Sequence, residues 1–377
     1  MKLLIAGDTV PTPSNYSLFQ SADMNALVGK EIMSMIAQSD FFILNLEAPL
    51  VDKDKPITKC GPNLRAPTSA VKALQAMKPG LISLANNHIM DHREQGLLST
   101  LDILNQVKIP YTGVGNNLKE AATPHIVDVE GHLIGIYSCA EHEFSIATEN
   151  APGANPFDPL YSLDHIADLK KLCDYVIVLY HGGKEHYRYP SPNLQKTCRR
   201  MVDKGADVIV CQHSHCIGCK EEYRDATIVY GQGNFIFDHS ESEFWQTSLV
   251  IDVHFRKDDG ISITYHPIVK DKCVVRLADE DEAANILDGF ISRSEEIKLT
   301  GFIAKKYKEY AYQMLPTYLL AFSGSGRSLF TRAVNKLSGG KYLEFVMKRK
   351  YSRDQRLVIR NFVECEAHNE LCITGLN

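Results

Sequence analysis

The first 270 residues of this chain alternate short apolar runs with longer amphipathic stretches, and this pattern restricts the fold more than any other feature. The runs predict strands at Lys2–Ala6, Phe41–Leu46, Leu81–Ala85, Leu133–Cys139, Tyr175–Tyr180, Val208–Gln212 and Thr227–Gln232. The amphipathic stretches predict helices that include Ala26–Ser39, Glu94–Val107, Asp164–Leu172 and Asn193–Lys204. Strands that alternate with helices are typical of an α/β layered fold rather than an all-helical fold or a β-sandwich.

The pattern changes after about residue 275. Just before this point, Leu249–His254 and Ile261–Ile268 alternate apolar and polar residues around Asp-Asp-Gly, which predicts a β-hairpin. After it, helical periodicity with interspersed Lys and Arg predicts helices. We therefore predict a catalytic domain over residues 1–275 and a basic, mostly helical C-terminal extension over residues 276–377.

Charge is divided unevenly along the chain. The whole chain has 41 Lys and Arg against 46 Asp and Glu, and residues 301–377 have 13 against 6, which leaves 28 against 40 for the first 300 residues. Seven of these cations and two acids lie within Lys341–Arg360. A solvated helix face would explain this stretch. Contact with an anionic polymer, a phospholipid surface or the acidic first part is the alternative.

Composition indicates a soluble globular protein, with 44% hydrophobic and 23% charged residues. No run approaches the ~18 apolar residues of a membrane span, and the first residues lack the pattern of a signal peptide. The ten cysteines are scattered, as is typical of reduced thiols. We expect a cytoplasmic protein, with peripheral membrane contact as a variant of that expectation.

Six of the predicted strands end in side chains that can bind a metal ion or transfer a proton. Because the carboxyl ends of strands in an α/β sheet gather along one edge, we expect these side chains to meet. They are Asp8, Glu47, Asn87, His88, His181, His213 and His215, with Asn45 and Asn234 beside them. Carboxylate, amide and imidazole donors without a thiolate suit Mn, Fe or Zn in a hydrolytic site, as one ion or two. Glu47 could bridge two such ions about 3.5–4 Å apart, and His88 could protonate a leaving group.

Each residue taken singly also has a structural explanation. Asp8 after a glycine is typical of a turn or a helix cap, and only the recurrence at successive strand ends favours a site. Cys211, Cys216 and Cys219 lack the second cysteine pair that would indicate a zinc knuckle. Ser214 lacks the flanking glycines of a nucleophile elbow.

These residues stand in motifs that resemble the CapA family, the poly-gamma-glutamate capsule group of the calcineurin-like metallophosphoesterases. The resemblance covers roughly residues 2–240. Its motifs are Gly7-Asp8, Asn45-Leu-Glu47, Ala85-Asn-Asn-His88 with Asp91, His181-Gly-Gly with Glu185, the segment from Gly205 to His215, and Tyr230-Gly-Gln-Gly-Asn-Phe235. The resemblance implies a four-layer αββα sandwich with a two-metal site on one edge.

The resemblance also implies a role for each residue. Two sets of metal ligands share Glu47: the first is Asp8, Glu47 and His215, and the second is Asn87, His181, His213 and Glu47. His88 falls at the position of the general acid, with Asp91 as an orienting carboxylate. The residues expected to contact substrate or to support the ligands are Asn45, Glu185 and Asn234.

The sequence departs from the wider superfamily near the first metal position. Val10 stands where an Asp-x-His motif has its histidine, and Asn45-Leu-Glu47 replaces the usual Gly-Asp pair. One ligand is thereby missing, so that this position is weak, filled by another residue or empty. Gly182 stands where relatives often have Trp, which would widen or reshape the pocket.

The resemblance and the strand-end residues together predict a metal-dependent hydrolase. Its substrate would be anionic, with a phosphoester or a gamma-glutamyl-like amide cleaved during capsule or cell-surface polymer metabolism. A non-hydrolytic, polymer-binding accessory protein of a capsule synthase is the alternative. The acidic first 300 residues argue against a nucleic-acid enzyme, because they offer no basic groove for phosphates.

Overall fold

The computed structural model of the chain describes residues 1–238, 240–256, 260–271, 273–323 and 329–376. The chain forms two compact units, Met1–Ile303 and Ala304–Asn377, which we call unit one and unit two. The Asp-Asp pair of the predicted hairpin turn lies outside the described residues.

Strands are confined to unit one among the described residues. In chain order they are β1 (Lys2–Thr9), β2 (Phe41–Leu46), β3 (Leu81–Ser83), β4 (Tyr111–Thr112), β5 (Val114–Gly115), β6 (His125–Val129), β7 (His132–Ala140), β8 (Gly153–Ala154), β9 (Tyr175–His181), β10 (Val208–Gln212), β11 (Lys220–Tyr223), β12 (Ala226–Val229), β13 (Asn234–Ile236), β14 (Thr247–Arg256), β15 (Gly260–Asp271) and β16 (Val274–Leu277).

Helices occur in both units. They are α1 (Tyr16–Ser21), α2 (Met24–Ala37), α3 (Val71–Met77), α4 (Arg93–Gln106), α5 (Leu118–Ala121), α6 (Ser162–Leu172), α7 (Pro192–Asp203), α8 (Glu243–Gln246), α9 (Glu280–Glu296), α10 (Phe302–Phe322), α11 (Leu329–Leu337), α12 (Lys341–Lys350), α13 (Arg353–Glu364) and α14 (Glu366–Leu376). A 3-10 turn at Thr68–Ala70 precedes α3.

The strands form two mixed sheets and a short β5–β8 ribbon. The larger sheet has the order β16-β15-β14-β1-β2-β3-β4, with β13 also beside β1, and the smaller has the order β11-β12-β10-β9-β7-β6. Strands β1 to β4 are parallel to one another, as are β7, β9, β10 and β12. The predicted late hairpin corresponds to the antiparallel pair β14 and β15.

Alternate residues of β1 pack on opposite faces of the larger sheet. Leu3 and Ile5 lie between the sheets, where they pack with Ile177 and other residues of the smaller sheet. Leu4 faces the opposite way, toward the apolar sides of α2, α3 and α4. Helices α6 and α7 cover the outer face of the smaller sheet. The result is a four-layer αββα sandwich, which confirms the predicted fold class, and each fully buried Leu or Ile contributes about 1.5–3 kcal/mol to it.

The predicted strand Thr227–Gln232 is interrupted in the structure. β12 ends at Val229, and a separate strand, β13, begins at Asn234. Gly231 and Gly233 take positive φ values of 118° and 77°, a conformation that favours glycine and breaks a strand. Asn234 therefore begins a strand beside β1 and does not simply follow the end of β12.

Unit one extends beyond residue 275, where the sequence pattern changes, and ends at Ile303. Helix α9 packs on β15 and β11. Phe290 is fully buried, with its ring centroid 4.8 Å from that of Tyr265, and Arg293 donates from Nε to the carbonyl of Gly218 at 2.8 Å. An amphipathic helix has the same periodicity whether it packs on a sheet or on other helices. The sequence pattern therefore does not reveal where unit one ends.

Unit two is helical throughout its described residues. Its apolar cluster contains Leu319, Leu343 and Met347, with Leu315 and Ile359 packed against it. None of the helices in the described part of the chain is both long enough and apolar enough to cross a bilayer.

Candidate metal centre

Polar side chains from both sheets converge at the carboxyl edge of the parallel strands. Asp8 is the penultimate residue of β1, Glu47 directly follows β2, and His181 is the last residue of β9. His213 and His215 follow β10. All five residues are buried. The structure thus brings together side chains that the strand-end pattern singled out.

Gly7 allows β1 to reach this edge. A Cβ atom on Gly7 would lie 2.1 Å from the carbonyl oxygen of Gly233, a distance that no side chain tolerates. This close approach places the next residue, Asp8, in register with Asn234 of β13. Only glycine fits before Asp8, because the Gly233 loop leaves no space for a side chain at that position.

One group of donor atoms surrounds His181, and we call it the His181 set: Glu47, Asn87, His181 and His213. The ligand atoms of Glu47, His181 and His213 lie within 4.8 Å of one another. Asn87 Oδ1 lies 3.0 Å from His181 Nε2, and Glu47 Oε1 lies 3.3 Å from the same nitrogen. Asn87 Nδ2 donates to Glu143 at 2.7 Å, which holds the amide in this orientation.

A second group, the Asp8 set, consists of Asp8, Glu47 and His215, whose ligand atoms also lie within 4.8 Å of one another. Asn45 Nδ2 donates to Asp8 Oδ1 at 2.7 Å, and the backbone N–H of His213 donates to Asp8 Oδ2 at 3.2 Å. His215 Nδ1 lies 2.8 Å from Asn234 Oδ1. Asn45 and Asn234 therefore contact members of the Asp8 set.

The unsatisfied atoms of these sets fit a divalent cation. Neither carboxylate oxygen of Glu47 accepts a hydrogen bond from the described residues, although both are buried, and His213 Nδ1 is likewise buried without a partner there. A buried carboxylate without a partner is strongly destabilising. Carboxylate, amide oxygen and imidazole donors suit Mn, Fe or Zn, so that the donor chemistry and the missing partners point to the same kind of ion.

Burial changes the proton affinity of these side chains. It raises the pKa of Asp8 to about 7, with a further increase from the nearby charge of Glu47. It raises the pKa of Glu47 to about 8, where His88 opposes the shift and Glu185 adds to it. Burial also lowers the pKa of His181, and it lowers the pKa values of His213 and His215 further still. The imidazoles are therefore neutral at pH 7, which is the form that binds metal.

His88 belongs to a separate hydrogen-bonded group, which lies beside the two donor sets. Its Nδ1 lies 2.6 Å from Asp91 Oδ2, the same oxygen that accepts from the backbone N–H of Leu64 at 2.6 Å. Lys59 Nζ contacts Asp91 Oδ1 and lies 3.2 Å from His88 Nδ1. Asp91 thus orients the imidazole of His88, and Lys59 balances the charge of Asp91.

Three residues around the site, Lys59, His186 and Trp245, were not predicted from the sequence. Lys59 lies in a loop without periodicity, so that no sequence signal connects it with His88. Trp245 stacks on His215 with ring centroids 4.5 Å apart, and its Nε1 donates to His186 Nε2 at 2.9 Å. As the one Trp of the chain it is distinctive, but nothing local indicates its position.

The backbone at the two histidines after β10 is strained. His213 and His215 have positive φ values of 79° and 52°, a region that side chains other than glycine rarely adopt. Each such residue costs on the order of 1–3 kcal/mol, and such strain is concentrated at functional sites. The surrounding packing, including the stacked Trp245, offsets this cost.

We expect the metal-free protein to lose stability as the pH rises from about 6.5 to about 8.5. In this range the folded state retains protons on Asp8 (pKa about 7) and Glu47 (pKa about 8) that the unfolded state has already lost. The free energy of unfolding therefore falls with rising pH until both carboxyl groups have ionised in the folded state as well. Below about pH 6.5 the lowered pKa values of the site histidines have the opposite effect, because they make the free energy of unfolding increase as the pH rises.

Thermal unfolding of EDTA-treated protein across this range measures the effect. Added Mn²⁺ should remove the loss of stability, because the cation binds the deprotonated carboxylates. A midpoint that stays constant or rises with pH in the absence of metal would contradict the expectation.

The fold and the site define an αββα protein of two stacked sheets with a candidate two-ion centre at one edge. A sequence profile for "Bacterial capsule synthesis protein PGA_cap" matches residues 2–239. The chain therefore belongs to this family of bacterial capsule synthesis proteins, as the sequence motifs predicted.

Named relatives agree with this assignment. The chain is 30% identical over 245 residues to "Capsule biosynthesis protein CapA" of Bacillus anthracis, a match that covers 63% of this chain and 59% of that protein. It is 30% identical over 230 residues to "PGA biosynthesis protein CapA" of Bacillus subtilis, a match that covers 58% of this chain and 59% of that protein. The matches thus span somewhat under two thirds of the length of these curated relatives.

Solved structures show a weaker similarity. A hypothetical protein from Thermus thermophilus has a TM-score of 0.47 and 13% identity, with coverage of 72% of this chain and all of that one. A novel phosphatase from Mycoplasma pneumoniae has a TM-score of 0.47 and 14% identity, with coverage of 72% and 94%. Similarity at this level does not define an activity for the present chain.

Proposed function

We propose that this protein is a metal-dependent hydrolase that acts in capsule or cell-surface polymer metabolism. Its substrate would be an anionic phosphoester or a gamma-glutamyl-like amide. The observation that supports this proposal most strongly is that Glu47 is fully buried and belongs to both donor sets. Neither of its carboxylate oxygens accepts a hydrogen bond from the described residues. A position shared between two sets is the one from which a carboxylate bridges two cations.

In this proposal the Asp8 set and the His181 set would each hold a divalent ion. Bound ions of this kind supply Lewis acidity and a water of lowered pKa. Asn45 orients Asp8 through the 2.7 Å hydrogen bond, and Glu143 orients Asn87 through the other 2.7 Å bond. These contacts fix the ligand atoms before any substrate arrives, which lowers the cost of reorganisation during the reaction.

His88 is the proposed general acid. Its Nδ1 is held by Asp91 at 2.6 Å, so that Nε2 is the ring nitrogen left to give a proton to the leaving group. Lys59 contacts Asp91 and so holds the carboxylate in place beside the imidazole. The hydrogen bond to Asp91 also fixes the direction in which Nε2 points.

The test begins with protein purified without chelators. We expect close to two equivalents of transition metal per chain by elemental analysis, and hydrolysis of a chromogenic phosphodiester, a phosphomonoester or a gamma-glutamyl anilide on addition of Mn²⁺. Comparison of these three substrates separates phosphoesterase from amidase activity. Protein without bound metal and without Mn²⁺-dependent hydrolysis of any of them would refute the proposal.

A non-hydrolytic accessory role is the second candidate, and the residue that favours it is Val10. Val10 packs with Ala48, Phe237 and Trp245 in an apolar cluster beside the Asp8 set, and so gives no ligand where one is expected. Mycobacterium tuberculosis relatives that are 28% identical carry the name "Probable polyglutamine synthesis accessory protein". Metal-loaded protein that binds a polyanion but hydrolyses none of the three substrates would favour this role.

We also propose that unit two contacts an anionic lipid surface. Phe345 is 62% exposed and lies one helical turn from Lys341 and one from Arg349 on α12. Leu357 on α13 is 53% exposed and lies one turn from Arg353. Exposed apolar side chains flanked by cations are typical of interfacial helices, whereas a soluble polyanion would need the cations alone.

Sedimentation of the full chain with phosphatidylglycerol-containing vesicles tests this contact. We expect binding that falls at least fivefold in a Phe345→Ser/Leu357→Ser double variant, and no change in the control Leu160→Ser, which removes a side chain of unit one that is 74% exposed. Binding to polyglutamate with no binding to the vesicles would overturn the proposal.

A further inference from the structure

The two donor sets are unequal. The His181 set contains four donors, whereas the Asp8 set contains three: Asp8, Glu47 and His215. Val10, two residues after Asp8, is 2% exposed and packs in an apolar cluster with Ala48, Phe237 and Trp245. A protein site for a divalent transition metal ordinarily supplies three or four ligands and leaves room for water. The Asp8 set therefore has space for one more protein ligand.

Glu185 lies beside His215, which is a member of the Asp8 set. Its carboxylate falls within 4.8 Å of ring nitrogens of both His213 and His215. Glu185 was expected from the sequence to contact substrate or support ligands, and the structure places it against the histidine pair. Since His213 is already part of the four-donor set, the incomplete position beside His215 is the one that Glu185 would fill.

Hydrogen bonds connect the loop that carries Glu185 to the loop that carries His213 and His215. The backbone N–H of His186 donates to the carbonyl of Ser214 at 2.8 Å, between His213 and His215. Trp245 joins the same two loops, because its Nε1 donates to His186 while its ring stacks on His215. Glu185 thus approaches the histidines on a supported backbone, which a metal ligand requires.

Unsatisfied buried atoms at the same place give independent support. His213 Nδ1 and both oxygens of Glu47 are buried without a hydrogen bond from the described residues. Another carboxylate beside these groups would add repulsion to Glu47 unless a cation lay between them. A cation among Asp8, Glu47, Glu185 and the two histidines would supply the charge balance that the contacts between these side chains do not.

We infer that Glu185 is a metal ligand that completes the Asp8 position, in place of the histidine that Val10 does not provide. This inference rests on the proposed two-ion site. The completed position contains three carboxylates and one imidazole, whereas the His181 set contains one carboxylate, one amide and two imidazoles. Oxygen-rich sites favour Mn²⁺ and nitrogen-rich sites favour Zn²⁺, so the two positions should differ in their metal preference.

The test is the Glu185→Gln variant of the full chain. Elemental analysis counts the bound ions, and titration of Mn²⁺ followed by electron paramagnetic resonance measures the affinity of each position. We expect two ions in the unaltered protein. In the variant we expect one tight ion, with Mn²⁺ bound at the second position at least tenfold more weakly. Two ions with unchanged affinities in the variant would overturn the inference and leave the proposed function standing.

Control variants separate ligand loss from misfolding. Glu141 is a matched control, because it is a half-buried acid beside His181, as Glu185 is half-buried beside His215, but it belongs to none of the donor sets found among the described residues. Glu141→Gln should keep both ions. Glu185→Asp keeps the charge on a shorter side chain and should weaken Mn²⁺ binding to an intermediate degree. Absence of metal from the unaltered protein would refute both this inference and the proposed function.

Discussion

The Glu47→Gln substitution is expected to abolish tight binding at both candidate metal positions. Glu47 is the one residue that both sets share, and it is fully buried. A neutral amide in its place cannot balance two cations. We expect turnover to fall by about three orders of magnitude or more, since several kcal/mol of transition-state stabilisation by the ions are lost with them.

The Glu47→Gln substitution should raise the unfolding temperature of the metal-free protein and lower that of the metal-loaded protein. Without metal, at a pH above the Glu47 pKa of about 8, the variant removes a buried and unpaired charge and should unfold at a higher temperature than the unaltered protein. With saturating Mn²⁺ it should unfold at a lower temperature, because binding no longer stabilises the folded state. The same direction of change in both conditions would show that Glu47 has no role in metal binding.

A partial variant gives the matched comparison. His213→Ala removes a ligand of the His181 set and leaves Asp8, Glu47 and His215 in place. We expect it to lose metal from one position and to retain the other with reduced affinity. If His213→Ala and Glu47→Gln lose metal equally, the two sets are not separate positions.

The His88→Ala substitution is expected to lower turnover by about 10²–10⁴-fold while both ions remain bound. His88 belongs to neither donor set, and its Nδ1 is engaged by Asp91 at 2.6 Å. Loss of the imidazole therefore removes a proton donor and leaves the ligands untouched. Parallel measurement of turnover and metal content distinguishes this result from the loss of a ligand.

Asp91→Asn supplies the comparison for His88. The amide can present its NH2 group to Nδ1 in place of an acceptor oxygen, so that the imidazole is less firmly oriented and turnover should fall while metal content stays the same. A purely structural role for Asp91 would lower the amount of folded protein without lowering the turnover of the protein that does fold. Loss of metal from His88→Ala would contradict the assignment of His88 as the acid.

The layered fold was predictable because its signals are local. In β1, Leu3 and Ile5 face one side and Leu4 the other, and this alternation is visible in the residues themselves. The local pattern did not predict the strand boundaries after Val229. There the positive φ values of Gly231 and Gly233 end one strand, and Asn234 begins another.

The candidate site was predictable in part. Asp8, Glu47, His181 and His213 could be grouped because parallel strands share a carboxyl edge, whichever strands are neighbours. Lys59 could not be added to the group. It lies 29 residues from His88 in a loop, and only the folded chain shows the 3.2 Å contact between them.

The sequence by itself thus determined the α/β architecture and the side chains that stand at strand ends, since both follow from periodicity over a few residues. The tertiary structure alone decided which loop residues reach those side chains. Trp245 and Lys59 approach the site because two sheets stack and carry their loops together, and such contacts depend on packing between distant parts of the chain. The motif already placed Glu185 at the site, but only the fold shows its carboxylate beside His213 and His215, on which its proposed role as a ligand depends.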